Sequence, residues 1–143
     1  METKTHPNRL GVWGWVGGGR WGYERYLYIL HRISGLGILS YFLLHIFVTS
    51  ARIWGPGRWA EAMQMVHGMA FKLGEFAVFA AFAFHAINGL RLGAIELGFA
   101  IGKPIEPIYP YATSVGRQRP LAILVMLIAA GLCVWGGLDF FIL

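Results

Sequence analysis

The sequence predicts an all-α membrane protein with three transmembrane helices. Three observations carry that expectation. Of the 143 residues, 57% are hydrophobic and only 13% are charged, and the mean hydropathy is +0.56. A soluble domain carries about a quarter charged residues. The apolar residues gather into three long stretches, about 26–53, 68–97 and 120–143, each long enough to cross a hydrocarbon core of about 30 Å as a helix. Two of these stretches hold histidine and arginine within them. Ionisable side chains inside a membrane segment are costly, and they mark a bundle interior, a cavity or a cofactor.

The elements follow in order. Residues 1–25 are polar and rich in Gly and Trp, with no short apolar core and no small-residue cleavage site. They predict an interfacial or partner-binding arm rather than a cleavable signal peptide. Trp13, Trp15, Trp21 and Tyr23 suit the headgroup region, and Gly17, Gly18 and Gly19 disfavour regular helix there. His6 lies in this arm and carries no expectation. The first span opens the second unit, 26–143, with YLYILHRISGLGILSYFLLHIFVTS. Trp54-Gly55-Pro56-Gly57 ends it, because Pro lacks the amide donor and Gly is conformationally loose. Residues 58–66 predict a short helix on the membrane surface, and His67 is expected at the outer edge of the second span as an interfacial residue. The second span carries Lys72 and Glu75 near its start, placed to pair or to snorkel. A loop from Gly102 to Arg119 contains Pro104, Pro107 and Pro110. Pro120 is expected in the first turn of the third span.

Charge and cysteine exclude several functions. The net charge is +5, but the basic residues are scattered, so no nucleic-acid partner is expected. They serve topology and lipid headgroups instead. The N-terminal arm and the second connection hold more Lys and Arg than the first connection. This puts the N-terminus inside and the C-terminus outside. Cys133 is the sole cysteine, so no internal disulfide can form, and it reads as a packing residue.

The helix faces bring the ionisable residues into pattern. At about 100° per residue, His31, Gly35, Ile38, Phe42, His45 and Thr49 share a stripe of the first span. Gly74, Val78, Ala81, His85, Gly89, Leu92 and Glu96 share a stripe of the second. Small residues one turn from His31 and His85 let a flat group or another helix approach closely. A histidine so framed on an intramembrane face points to a macrocycle, since neutral imidazole is the usual axial ligand of a b-type haem. At about 1.5 Å per residue, His31 lies roughly 8 Å, His85 roughly 15 Å and His45 roughly 28 Å from the inner end. His45 and His85 therefore should not ligate one iron. A trans ligand for His85 is expected from another chain. His45 is expected to be a ligand of a second haem or a packing histidine. Arg32 suits haem propionates or a developing quinone anion.

His31-Arg32-Ile33-Ser34-Gly35 resembles the H-R-x-[ST]-G signature of the cytochrome b membrane-anchor subunits of succinate dehydrogenase. His85-Ala86-Ile87-Asn88-Gly89-Leu90-Arg91 resembles their second signature, H-x-x-x-G-[IL]-R. Both occur in the family's order, each on the expected helix, within Leu27–Glu96. The resemblance implies a haem b axial ligand at His85 and a propionate or quinone role for His31 and Arg32. It implies a hydroxyl for the same pocket from Ser34 and a motif arginine at Arg91. Tyr28 stands where many members have a quinone-binding Ser. Glu96 replaces an Asp, and Leu92 stands where some members have a second His. His45 resembles the extra ligand of members with two haems.

The resemblance further implies a subunit of succinate:quinone oxidoreductase that binds no dicarboxylate. It would hold haem b and help form the site where ubiquinone or menaquinone is reduced. Its partners would be a flavoprotein subunit, an iron–sulfur subunit and a second membrane anchor completing the helix bundle. The membrane would be a bacterial or archaeal cytoplasmic membrane rather than the mitochondrial inner membrane. The rival expectations are a haem-free anchor of the same or a fumarate reductase complex, and a transporter subunit with proton-relaying histidines. No inverted repeat favours the transporter.

Overall fold

The computed structural model describes residues 11–12, 22–103, 106, 108 and 113–143. The expectations for Trp13, Trp15, Gly17 to Gly19, Trp21, Pro104, Pro107 and Pro110 fall outside the described residues, as does His6. Among the elements that lie wholly in the described residues are α1 (Tyr23–Thr49), α2 (Pro56–Met65), α3 (Met69–Glu96) and α4 (Val115–Phe141). No strand occurs among the described residues. With a 3₁₀ extension of α1, three helices among the described residues are long and apolar enough to cross a membrane: Tyr23–Trp54, Met69–Glu96 and Val115–Phe141.

The breaks lie where backbone chemistry requires them. The 3₁₀ turn Ser50–Trp54 stops at Gly55, whose φ of 97° suits a residue without a Cβ. Pro56 then opens α2 at a position where a missing N–H costs nothing. Gly68, at φ 118°, makes the turn into α3. The far end of α3 closes as a Schellman motif. The Phe99 amide donates to the Ala94 carbonyl at 3.0 Å and the Gly98 amide to the Ile95 carbonyl at 2.9 Å, with Gly98 at φ 96°.

Two boundaries differ from the sequence reading. α1 begins at Tyr23 rather than Tyr26. α4 begins at Val115, so Pro120 lies inside the helix rather than in its first turn. A proline there removes one bond near the helix end. The Gln118 amide donates to the Ser114 carbonyl at 3.1 Å and the Arg117 amide to the same group at 2.9 Å, which starts the helix before the proline is reached.

α3 is the central helix, packing against α1 on one side and α4 on the other, while α2 folds against the 3₁₀ turn. The α4 face is built from small residues seven apart: Ala122, Ala129 and Gly136 are buried, with Val125 between the first two. That repeat lets near-parallel helices approach closely where lipid supplies no hydrophobic drive. Gly136 admits the Phe79 ring. Phe76, Phe79, Phe140 and Phe141 form a cluster with centroids 5.3–6.4 Å apart. Lys72 lies over the Phe141 ring, with its Nζ 5.6 Å from the centroid, and makes no ion pair with Glu75 among the described residues. At the other end, Arg119 Nε donates to Glu24 Oε1 at 2.8 Å, tying α4 to the start of α1.

Candidate functional site

The two predicted stripes of α1 and α3 face one another, and His31 and His85 meet on that seam. Their rings stack with centroids 4.0 Å apart and an interplanar angle of 4°. The sequence reading set them roughly 7 Å apart in depth. The earlier start of α1 moves His31 about 4.5 Å further from the inner end, since three more residues precede it at 1.5 Å each.

Glycines make the contact reciprocal. A Cβ added at Gly35 of α1 would lie 2.7 Å from His85 Cε1. A Cβ added at Gly89 of α3 would lie 3.7 Å from His31 Cε1. Each histidine therefore rests on the glycine of the opposite helix, and the Gly35 seat is the tighter one. The small residues that could admit a flat group serve here to bring each imidazole onto the neighbouring backbone.

Hydrogen bonds fix His85 from one side. Its Nδ1 lies 3.0 Å from the His31 carbonyl oxygen and 3.1 Å from Ser34 Oγ. The Ser34 hydroxyl donates to the same carbonyl at 3.0 Å. A carbonyl oxygen can only accept, so Nδ1 carries the hydrogen. The lone pair then belongs to Nε2. Ser34 is buried, at 8% exposure, and turned into the helix interface.

An open cleft of about 540 Å³ lies beside the pair, lined by His31, Arg32, Gly35, Leu36, Leu39 and His85. That size falls in the ordinary range of ligand pockets, roughly 300–1,000 Å³. Arg32 Nη1 donates to the Tyr28 hydroxyl at 2.6 Å. The guanidinium groups of Arg25 and Arg32 lie 5.4 and 5.1 Å from the Tyr28 ring centroid. A tyrosine in contact with two cations thus sits one turn before the cleft, presenting positive charge where an anionic or carbonyl oxygen would dock.

Arg91 lies on the same helix as His85, at 9% exposure, and its Nε donates to Asn88 Oδ1 at 2.9 Å. Asn88 is the most deeply buried polar residue, at 1% exposure. Sequence reasoning missed it, although its spacing three residues before Arg91 places the two on one helix face. Asn88 Nδ2 and His31 Nδ1 are buried without a hydrogen-bond partner among the described residues.

His45 occupies the other end of the seam, 14 residues or about 21 Å along α1. Its ring tilts against Tyr41 with centroids 5.7 Å apart. It lines a second cleft of about 360 Å³ with residues of α2 and α3, among them Trp59, Gly74, Glu75 and Val78. Thr49 donates to the His45 carbonyl at 2.7 Å, but this engages backbone and not the ring.

The geometry limits the metal chemistry. Face-to-face rings set their nitrogens side by side, whereas trans ligands of one iron point at each other. His31 and His85 of one chain are therefore not an axial pair. Among the described residues no three His, Cys, Asp or Glu side chains converge as a set for a bare ion. A metal at His85 must bring most of its own ligands, as a macrocycle does. An Nδ1-anchored imidazole, a neighbouring apolar cleft and a nearby guanidinium fit haem on one side.

The family profile described as succinate dehydrogenase/fumarate reductase transmembrane subunit matches residues 12–134. The succinate dehydrogenase hydrophobic membrane anchor subunit of Halobacterium salinarum is 26% identical over 100 residues, covering 69% of this chain and 67% of that protein. No solved structure matches the chain. The profile spans both signatures, the first two long helices and most of the third, and the chain belongs to the family of succinate dehydrogenase/fumarate reductase transmembrane subunits.

Proposed function

We propose that this chain is the cytochrome b anchor subunit of a succinate:quinone oxidoreductase, in which His85 would hold haem b and a quinone site would lie beside His31 and Arg32. The observation that carries the reading is the His85 ring, held at Nδ1 by the His31 carbonyl and Ser34 with Nε2 left for a ligand. Imidazoles that ligate metals are commonly anchored this way, through the second ring nitrogen. Bound haem would supply a one-electron store within the membrane.

The chain's own residues divide the remaining work. Arg32 offers guanidinium hydrogens to a propionate or to the oxygen of a quinone being reduced. Tyr28 holds Arg32 through its hydroxyl and its ring and takes the place of the family's quinone-binding serine. Quinone takes two electrons from an iron–sulfur subunit and two protons, giving quinol. Arg32 steadies the negative charge between those additions. His31, in the same cleft, can pass a proton to a quinone oxygen. The buried Arg91–Asn88 pair holds positive charge beneath the site. His45 is the candidate ligand of a second haem.

In this reading a second anchor subunit would cover the opposite helix face and would help to hold the haem. Flavoprotein and iron–sulfur subunits bind at the end carrying the start of α1. That end faces the cytoplasm of a bacterial or archaeal cell, because the connection after α3 and the N-terminal arm carry most of the Lys and Arg. The complex oxidises succinate or, run in reverse, reduces fumarate.

The test is the dithionite-reduced minus oxidised spectrum of the purified complex, with pyridine haemochrome quantitation. About one haem b per chain supports His85, and about two bring in His45. A complex without haem leaves an anchor with a quinone site and overturns the cytochrome reading.

A further inference from the structure

Ser34 was expected to give its hydroxyl to the quinone pocket, but its surroundings suit a different task. The hydroxyl is buried, and both of its hydrogen-bonding directions are used within the helix pair. Its hydrogen goes to the His31 carbonyl, 3.0 Å away. Its lone pair faces His85 Nδ1, 3.1 Å away. The His31 carbonyl lies 3.0 Å from the same nitrogen.

We infer that Ser34 is a positioning residue for the haem ligand: together with the His31 carbonyl it holds His85 in the Nδ1–H tautomer and aims Nε2 at the iron. The inference rests on the haem reading and deepens it.

Three physical points support it. A serine three residues after a carbonyl on a helix commonly bonds back to that carbonyl. Alone, that would be local helix chemistry. Here the back-bond also consumes the only hydrogen of the hydroxyl, so Oγ meets His85 as an acceptor. Two acceptors then converge on one ring nitrogen, and both require the same tautomer. The Nε2–H tautomer would set an Nδ1 lone pair against the carbonyl at 3.0 Å. The third point is Gly35. Any side chain there would meet His85 Cε1 at 2.7 Å, so the ring is wedged against the α1 backbone as well as bonded to it. Ser34 and Gly35 are adjacent in sequence, and one fixes the tautomer while the other admits the ring. A hydrogen bond from Nδ1–H to an acceptor also makes the imidazole a stronger donor to iron, which favours the ferric state.

The experiment compares the assembled complex carrying wild-type chain, Ser34→Ala or Ser34→Thr, with His85→Ala alongside. Three quantities are read: the rate of haem transfer to excess apomyoglobin, the haem midpoint potential, and the low-spin ferric EPR signal. Ser34→Ala should still assemble and bind haem. Its haem should leave about tenfold faster, the lower end of the range for losing such a partner. The potential should rise, and the EPR g-values should move as the ring loosens. Ser34→Thr should restore all three, because it returns the hydroxyl. Wild-type haem loss, potential and EPR in Ser34→Ala would overturn the inference. A deficit that Ser34→Thr fails to reverse would overturn it too, marking a packing effect. Full haem in His85→Ala would overturn the parent haem assignment and this inference together. Loss of haem in His85→Ala with an unaffected Ser34→Ala would overturn this inference alone.

Discussion

The seam between α1 and α3 holds a histidine site at each end, and the two are built differently. At one end His85 is bonded through Nδ1, stacked on His31 and seated on Gly35. At the other end His45 leans on Tyr41 beside a smaller cleft, and Thr49, one turn on, donates to its carbonyl and not to the ring. A ligand must be aimed, and aiming an imidazole requires restraint at the nitrogen that does not bind. The first end has that restraint within one chain. At the second, the His45 ring is restrained by its contact with Tyr41 and by no ring-nitrogen hydrogen bond among the described residues.

The comparison breaks most sharply if His85 can be removed without consequence. His85→Ala should abolish or strongly reduce haem b while leaving membrane insertion intact, and His45→Ala should leave the haem at His85 in place. Pyridine haemochrome on both variants decides it; equal losses would make the two ends equivalent. Arg32→Ala should come next in size. It should lower succinate–quinone activity by tenfold or more, on the scale of losing one well-placed charge-stabilising donor, about 10²–10³ at most. Succinate oxidation by a soluble dye should be nearly unchanged. Equal losses in the two assays would point to failed assembly.

Gly35→Val sharpens the comparison through packing. The added side chain would displace the His85 ring, with an overpacking cost of about 1–3 kcal/mol. Haem content should fall with thermal stability. Gly37→Ala is the control, because a Cβ there meets nothing within 4 Å. Glu24→Gln should have the smallest effect. It removes the Arg119 ion pair at the end of the seam near His31, and the Arg119 side chain is half exposed at 52%. Such exposed pairs contribute little, because water screens the attraction and holding two long side chains together costs entropy. A barely lowered unfolding midpoint in detergent is expected, and a large drop would show that the ion pair governs how α4 meets α1.

Much of the architecture was legible in the sequence. Three apolar stretches gave three long helices, because a chain in hydrocarbon must satisfy its own backbone and a helix of about 20 residues does so. Periodicity gave the two facing stripes, because a helix repeats its face every 3.6 residues whatever it packs against. His31, His85 and their glycines were visible that way. Asn88 was not singled out, although it shares a face with Arg91. An asparagine in an apolar helix is unremarkable until its burial is known.

What the sequence determined by itself was helix existence, helix face and the residue types available at the seam. These follow from local rules of rise, turn and hydrophobicity. The register between α1 and α3 was decided only in three dimensions. It brought His85 Nδ1 to a carbonyl 54 residues away in the chain and to the hydroxyl of Ser34. It also turned Gly35 from an open flank into a seat. No local pattern encodes that register, because it depends on which side chains of one helix fit the spaces of another. The start of α4 shows the same division at smaller scale: proline signals a helix beginning, and the Ser114 carbonyl, accepting two amides, set where the helix began.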